Sequence, residues 1–329
     1  MTDFHQTGKF TLRNFLADID QDEVTRTILS GLTAPQKRIS SIYFYDAVGS
    51  RLFEEITRLP EYYPTRTEKR LLQRFSSRFS DGNGRLDIIE IGSGDCSKIS
   101  ILLTAIPSRR WPATRYTPLD ASRAAIRGAA DCLRKKFPGI EIHGMVADFT
   151  RQMHLVPKGR KRFFCFLGGT IGNLSSEQTR SFFLDLRRTM GPGDALLLGV
   201  DMVKPVEILE KAYNDSQGVT ATFNRNILKV VNQLIGTDFD PLAFDHLAYY
   251  NHHRNRIEMH LKATADMRIS CPAHPEKILI RKDETIHTEN SHKYTRAAIR
   301  ELAATAGLAI NQTFTDENHW FSLMYLVKN

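Results

Sequence analysis

From about residue 70 to residue 200, short apolar runs alternate with stretches whose apolar positions recur every three or four residues. A strand covered on both faces needs no polar positions, so this alternation predicts a parallel sheet with helices on either side. The runs at 88–91, 116–119, 140–146, 163–167 and 195–200 are the expected strands. They lead into Gly92, Asp120, the neighbourhood of Asp148, Gly168-Gly169 and Asp201. Ile99, Leu102, Leu103 and Ile106 mark the helix after the first strand. Ser175 and Gln178 are spaced as a capping box for a helix beginning near Ser176, and Gly191-Pro192-Gly193 closes that helix.

The pattern changes at Met202. Helical periodicity covers 206–213 and 219–234, and alternating segments at 246–250 and 256–263 flank a polar turn at 251–255. This reads as an insertion with its own hairpin. A helix at 296–306, closed by Gly307, and strands at 308–314 and 321–327 complete the chain. An antiparallel hairpin closing a parallel sheet is the pattern of S-adenosylmethionine (SAM)-dependent methyltransferases. The expected fold is therefore α/β, a Rossmann-like seven-stranded sheet with a second, inserted substrate-binding domain. Residues 71–201 and 292–329 are assigned to the sheet domain, and 1–70 and 202–291 to the substrate-binding domain.

Ligands of such sheets bind beyond the carboxyl ends of the strands. The first of those ends reads LDIIEIGSGDCSK over 86–98. Gly92-Ser93-Gly94 lets the backbone turn sharply and approach a ligand, and the helix that follows points its N–H groups at the same place. A third glycine of the dinucleotide fingerprint would fall at 97, where the chain has Ser97. Glu90 and Lys98, on either side of the glycines, suit a zwitterionic amino-acid group such as the one SAM carries. Asp120 stands where a ribose acceptor is needed, and Asp148 and Phe149 where an adenine amine and ring would be met. Acidic residues after strands also serve as turn formers and helix caps, so the ordered set carries more weight than any one member.

Composition narrows the classes. The 329 residues, 41% of them hydrophobic, suffice for two domains with sizeable cores. No apolar run approaches a membrane span, and the first twenty residues lack a signal or transit pattern, so a cytoplasmic protein is expected. Cys96, Cys132, Cys165 and Cys271 are scattered without a CxxC pair; reduced, largely buried thiols are expected rather than a zinc knuckle or a disulfide framework. The net charge of +8 raises the possibility of a nucleic-acid partner. Its basic clusters lack interleaved stacking aromatics, however, and read as solvated surface. His252-His253 in a polar turn has no third ligand at chelating spacing, so no metal is expected.

Longer motifs then carry a resemblance. The stretch YFYDAVGSRLFEEITRLPEYYPTRTE at 43–68, IEIGSGDCSK, FLGGTIGNL at 166–174, AYNDSQGVTATFNRN at 212–226, RIEMHL at 256–261 and TENSHKY at 288–294 occur in order. In these the chain resembles the histidine-specific Nα-methyltransferases of ergothioneine biosynthesis, from about residue 40 to the C-terminus. The resemblance implies a SAM-dependent enzyme that converts L-histidine to trimethylhistidine (hercynine) and releases S-adenosylhomocysteine. It implies Gly92, Lys98, Asp120, Asp148 and Phe149 for the cofactor. Tyr62 and Tyr213 match the tyrosines that bind the substrate carboxylate, and Asn173 the asparagine that holds the α-amine, with Tyr45, Gly168 and Thr170 nearby. Phe53 and Met259 match apolar walls, and Glu289 and Ser291 the pair that reads the imidazole. Asn173 and Tyr45 are expected to orient the amine lone pair. The expected form is a monomer acting on a small molecule, without nucleic acid or membrane. The rival readings are a relative acting on another aromatic amino acid, such as a tryptophan derivative, and an RNA-binding methyltransferase.

Overall fold

All six residues of Leu86–Ile91 are buried, as a strand covered on both faces requires. In the computed structural model, which describes every residue except 1, 2, 8, 17–19, 80–83 and 329, this strand lies at the middle of a nine-stranded sheet. In chain order the strands are β1 (Asp3–Thr7), β2 (Phe10–Asn14), β3 (Leu86–Ile91), β4 (Thr114–Asp120), β5 (Glu141–Val146), β6 (Lys161–Phe166), β7 (Ala195–Asp201), β8 (Phe244–Asn251), β9 (Arg256–Ala263), β10 (Met267–Cys271), β11 (His274–Ile280), β12 (Thr285–His292), β13 (Leu308–Thr315) and β14 (Phe321–Lys328). The helices are α1 (Gln21–Leu32), α2 (Ala47–Ile56), α3 (Tyr63–Ser76), α4 (Ser97–Thr104), α5 (Arg123–Lys136), α6 (Phe149–Gln152), α7 (Ser176–Thr189), α8 (Val206–Lys211), α9 (Val219–Ile235) and α10 (Arg296–Thr305).

The chain divides into two compact units, one of residues 1–18, 64–204 and 293–329, the other of 19–63 and 205–292. In the first, the strand order is β1-β2-β5-β4-β3-β6-β7-β14-β13. Strands β2 to β7 run parallel; β14 and β13 close one edge antiparallel, and β1 pairs antiparallel with β2 at the other. Alternate side chains sort onto two faces. Ile88, Tyr116, Phe163 and Leu197 join Leu102, Leu103 and Leu133 in one core, whereas Ile89, Ile91, Leu119, Phe164 and Leu198 join Phe182, Phe183 and Leu186 in the other. The capping box of Ser175 and Gln178 forms at the start of α7.

The N-terminal segment differs from its sequence assignment. Residues 1–18 go with the sheet, because β2 adds to it parallel to β5, with Phe10 opposite Ile142 and both buried. Residues 64–70 of α3 belong to the same unit. The cysteines also require a correction. Cys96, at the N-cap of α4, and Cys132, within α5, form a disulfide with Cα atoms 6.6 Å apart, whereas Cys165 and Cys271 are buried free thiols. A sequence separation of 36 residues hides this neighbourhood, which arises because the two helices share one face of the sheet.

The second unit holds the antiparallel sheet β12-β9-β8 and the hairpin β10-β11. The turn joining β8 to β9 is the polar one expected at 251–255, with Asn255 at a positive φ of 45°. Strand β12 carries a bulge between His287 and Glu289. Helix α9 buries Phe223, Ile227, Leu228 and Val231, and with them the polar Asn224 and Asn226.

Candidate active site

In the sheet unit, the carboxyl ends of β3 to β6 gather one group of predicted residues. Gly92 follows β3 at φ +67°, and its N–H donates to Leu119 O at 2.8 Å. The positive φ disfavours any side chain there. Asp120, at the end of β4, braces the glycine loop: its carboxylate accepts from Gly94 N at 3.2 Å and from Ser122 N at 2.8 Å. Burial raises the Asp120 pKa above its ordinary value, opposed by these N–H donors. Asp148 caps α6 through Thr150 N at 2.8 Å, and the Phe149 ring meets Phe166 edge-on at 5.3 Å.

Lys98 and Gly168 are joined by a residue that sequence reasoning passed over. Glu68 of α3 is wholly buried; it accepts from Lys98 Nζ at 2.9 Å and from Gly168 N at 2.8 and 2.9 Å. Gly168 stands at φ +82°, and a Cβ there would come within 2.9 Å of Lys98 Nζ. Thr170 and Asn173 follow on one 3-10 turn, and a Cβ on Gly92 would meet Thr170 Cγ2 at 3.7 Å. Glycines at positive φ beside an ammonium let the backbone approach a ligand closely, which fits the amino-acid end of SAM. Glu90 is buried and accepts from the Tyr116 hydroxyl; burial pushes its pKa up to about 8, against the Tyr116 bond and the Lys98 charge. Asp201, which ends β7, is held between Lys204 and Lys293.

The second unit brings together the other group. Tyr45, Phe53, Tyr62 and Tyr213 run edge to face, with centroid separations of 5.9, 6.3 and 6.3 Å between successive rings. The Tyr213 hydroxyl donates to Ser291 Oγ at 2.6 Å, and on β12 and β9 Glu289 stands opposite Met259. Glu289 and Ser291 are only 8% and 6% exposed. Two positions absent from the sequence reading complete this group. Phe223 of α9 lies 4.4 Å from Phe44, 6.1 Å from Tyr45 and 6.0 Å from Phe53, centroid to centroid. Asp46 caps α2 through Gly49 N at 2.7 Å and accepts from Asn226 Nδ2 at 2.9 Å, which ties the Tyr45 turn to α9. Both partners on α9 fall in the motif ATFNRN, whose spacing placed them on a helix but not on a face.

On the other side of β9, Glu258, His260 and His287 bring ligand-type atoms within 4.8 Å of one another. Glu258 is already taken: Arg256 reaches Oε1 with Nε at 2.8 Å and Nη2 at 2.6 Å, and Tyr249 reaches Oε2 at 3.0 Å. Burial works against its charge, yet Arg256 and these donors hold its pKa down at about 2. A cation there would face a guanidinium, so the trio reads as a polar network built on Glu258 rather than a metal site, with His260 Nδ1 buried and without a hydrogen-bond partner.

A family model described as histidine-specific methyltransferase, SAM-dependent, matches residues 24–328. The chain belongs to that family. It is thus a SAM-dependent methyltransferase, and its nine-stranded sheet contains the seven-stranded order expected for one, extended by β2 and β1. It is 39% identical over 319 residues to the histidine N-alpha-methyltransferase of Mycolicibacterium smegmatis, covering 97% of this chain and 99% of that one. It is 26% identical over 336 residues to the L-tryptophan methyltransferase of Psilocybe serbica, covering 92% of each. Among solved structures, mitomycin 7-O-methyltransferase aligns with a TM-score of 0.51 at 10% identity, over 94% of this chain and 67% of that one, a likeness of fold alone. Among the described residues no helix is long and apolar enough to cross a membrane.

Proposed function

We propose that the protein transfers methyl groups to the α-nitrogen of L-histidine, three in succession, to give trimethylhistidine. The observation that carries this reading is the buried carboxylate of Glu289, on the same strand as Ser291, which is itself bonded to Tyr213 at the end of a row of aromatic rings. A row of aromatic rings ending at the Ser291 hydroxyl, with the Glu289 carboxylate two residues away on the same strand, suits a flat, partly polar side chain. A carboxylate accepts an imidazole N–H, and a hydroxyl either donates to or accepts from the second ring nitrogen.

In this reading Tyr62 and Tyr213 hold the substrate carboxylate, the Tyr213 hydroxyl turning its one hydrogen from Ser291 to the substrate on binding, Glu289 and Ser291 hold the imidazole, and Phe53 and Met259 form the walls. Asn173 and Tyr45 orient the amine, with Gly168 and Thr170 beside it. Gly92, Lys98, Asp120, Asp148 and Phe149 hold SAM, which when bound supplies a methyl group on a positively charged sulfur. The chain's own work is positioning, which replaces an encounter in solution by a held alignment. Asn173 has no proton to take up in the neutral range, so the α-ammonium gives its proton to water and the amide directs the lone pair. Trimethylation requires the same subsite to accept mono- and dimethylated product.

The likeness to a tryptophan methyltransferase favours a second reading, an indole amino acid as substrate. The Glu289–Ser291 pair counts against it, since an imidazole offers two ring nitrogens for a carboxylate and a hydroxyl to read, whereas an indole offers one N–H on a bulkier ring. The test is mass spectrometry of reactions containing SAM and single amino acids. Trimethylated histidine is the expected product; methylated tryptophan with untouched histidine contradicts the proposal.

A further inference from the structure

Asn224 has no exposed surface, and an amide at that depth is costly unless its groups are bonded. Its partners account for its orientation. Nδ2 donates to His260 O at 2.9 Å and lies 2.9 Å from His246 Nδ1, and Oδ1 accepts from Thr288 Oγ1 at 2.7 Å. His246 Nε2 stands 2.8 Å from Tyr213 O. A carbonyl can only accept, so the hydrogen is on Nε2 and Nδ1 is left as the acceptor for the Asn224 amide. Burial holds the His246 pKa below the ordinary imidazole value, in keeping with a neutral ring.

These bonds make one connected path from the Tyr213 backbone through His246 and Asn224 to Thr288. Thr288 is the extra residue of the bulge between His287 and Glu289, and bulges re-aim the side chains beside them. Tyr213 is thereby held at both ends, by its carbonyl through His246 and by its hydroxyl on Ser291 at 2.6 Å. The path joins the residue assigned above to the substrate carboxylate with the strand assigned to the imidazole.

We propose that Asn224 is a positioning residue for amino-acid recognition, fixing Tyr213 relative to the Glu289–Ser291 segment through His246 and Thr288. The inference rests on the reading of these residues as the amino-acid site. It predicts that loosening the path weakens substrate binding while leaving the cofactor end alone.

The test uses Asn224→Ala, the milder Thr288→Val and the double variant, with KM and kcat for L-histidine, calorimetric affinity for SAM, and melting temperature. Asn224→Ala removes three buried hydrogen bonds, and Thr288→Val those from Thr288 Oγ1 to Asn224 Oδ1 and to Met259 O at 3.1 Å; each single variant should raise KM for histidine about ten-fold, with SAM affinity unchanged within about two-fold. Because both changes cut one path, the double variant should lose little beyond the worse single one. Thr288→Val keeps the inference testable should Asn224→Ala fail to fold. A lower melting temperature with unaltered KM overturns the proposal, and so does a parallel loss of histidine and SAM affinity. The wild type separates the two readings. If it does not take histidine, the site assignment itself fails; if it does and Thr288→Val takes it equally well, only the role of Asn224 fails.

Discussion

Replacing Glu68 by alanine should destabilise the sheet unit severely, and adding Lys98→Met to that change should restore much of the loss. Glu68 is wholly buried and the Lys98 side chain is 18% exposed, so their 2.9 Å pair is largely shielded from solvent. Glu68→Ala strips Lys98 of its counter-charge and leaves the Gly168 N–H without its acceptor. Breaking one side of a buried pair costs about 3–5 kcal/mol, mostly because the surviving charge stays uncompensated. For a unit of roughly 200 residues each kcal/mol moves the melting point by about 2–4 °C, so a fall of about 10 °C is expected. The double variant buries no unpaired charge and should melt well above Glu68→Ala, although it lacks the ammonium proposed to meet SAM. The assay is scanning calorimetry without ligand near pH 7. A Glu68→Ala melting point within about 2 °C of wild type, or a double variant less stable than the single, would refute the reasoning.

Further outcomes follow from the same geometry. Glu289→Ala should weaken histidine binding by about 1.5–3 kcal/mol and spare tryptophan, whereas equal losses for both would make Glu289 structural. Asp120→Ala should weaken SAM binding by about 1–3 kcal/mol and, because the carboxylate also braces Gly94 and Ser122, lower unliganded stability by about 1–2 kcal/mol. Unaltered SAM affinity by calorimetry would leave Asp120 as a turn residue only. His287 is held neutral down to about 4, chiefly by burial and then by the His260 ring, against an ordinary 6.5. Below pH 6.5 the unfolded chain therefore takes up a proton that the folded one refuses, so stability falls as pH drops towards 4. At about 1.4 kcal/mol per pH unit the loss reaches about 3 kcal/mol, and His287→Gln should flatten that limb in urea titrations; an unchanged slope contradicts the assignment.

The sheet was legible because burial on both faces writes itself as continuous apolar runs: 88–91 is expected and Leu86–Ile91 is found. The buried Asp87 that the run omits is spent on Arg115 and Thr117, partners on the neighbouring strand that periodicity cannot supply. Strand β2 escaped notice since its five residues gain their place only by pairing with β5, some 130 residues later. Strand β12 reads TIHTENSH, too polar for an apolar run, and its buried Thr288, Glu289 and Ser291 are tolerated because partners meet them. The same limit hid Glu68 and Asn224, whose roles depend on bonds made across the fold. The residues expected to hold the cofactor could be named because glycines at positive φ and acids at strand ends leave a local trace in the sequence. For the aromatic group and Glu289, long ordered motifs supplied what periodicity could not.

The central claim, methyl transfer to the α-nitrogen of histidine, is tested most directly by locating the added carbons. SAM labelled with carbon-13 in its methyl group and unlabelled L-histidine are incubated with the wild-type protein, and the product is examined by NMR. Labelled methyl groups on the α-nitrogen, accumulating to the trimethylammonium product with both ring nitrogens unmodified, are the predicted result. Label on the imidazole, or none on histidine while another amino acid acquires it, would contradict the account.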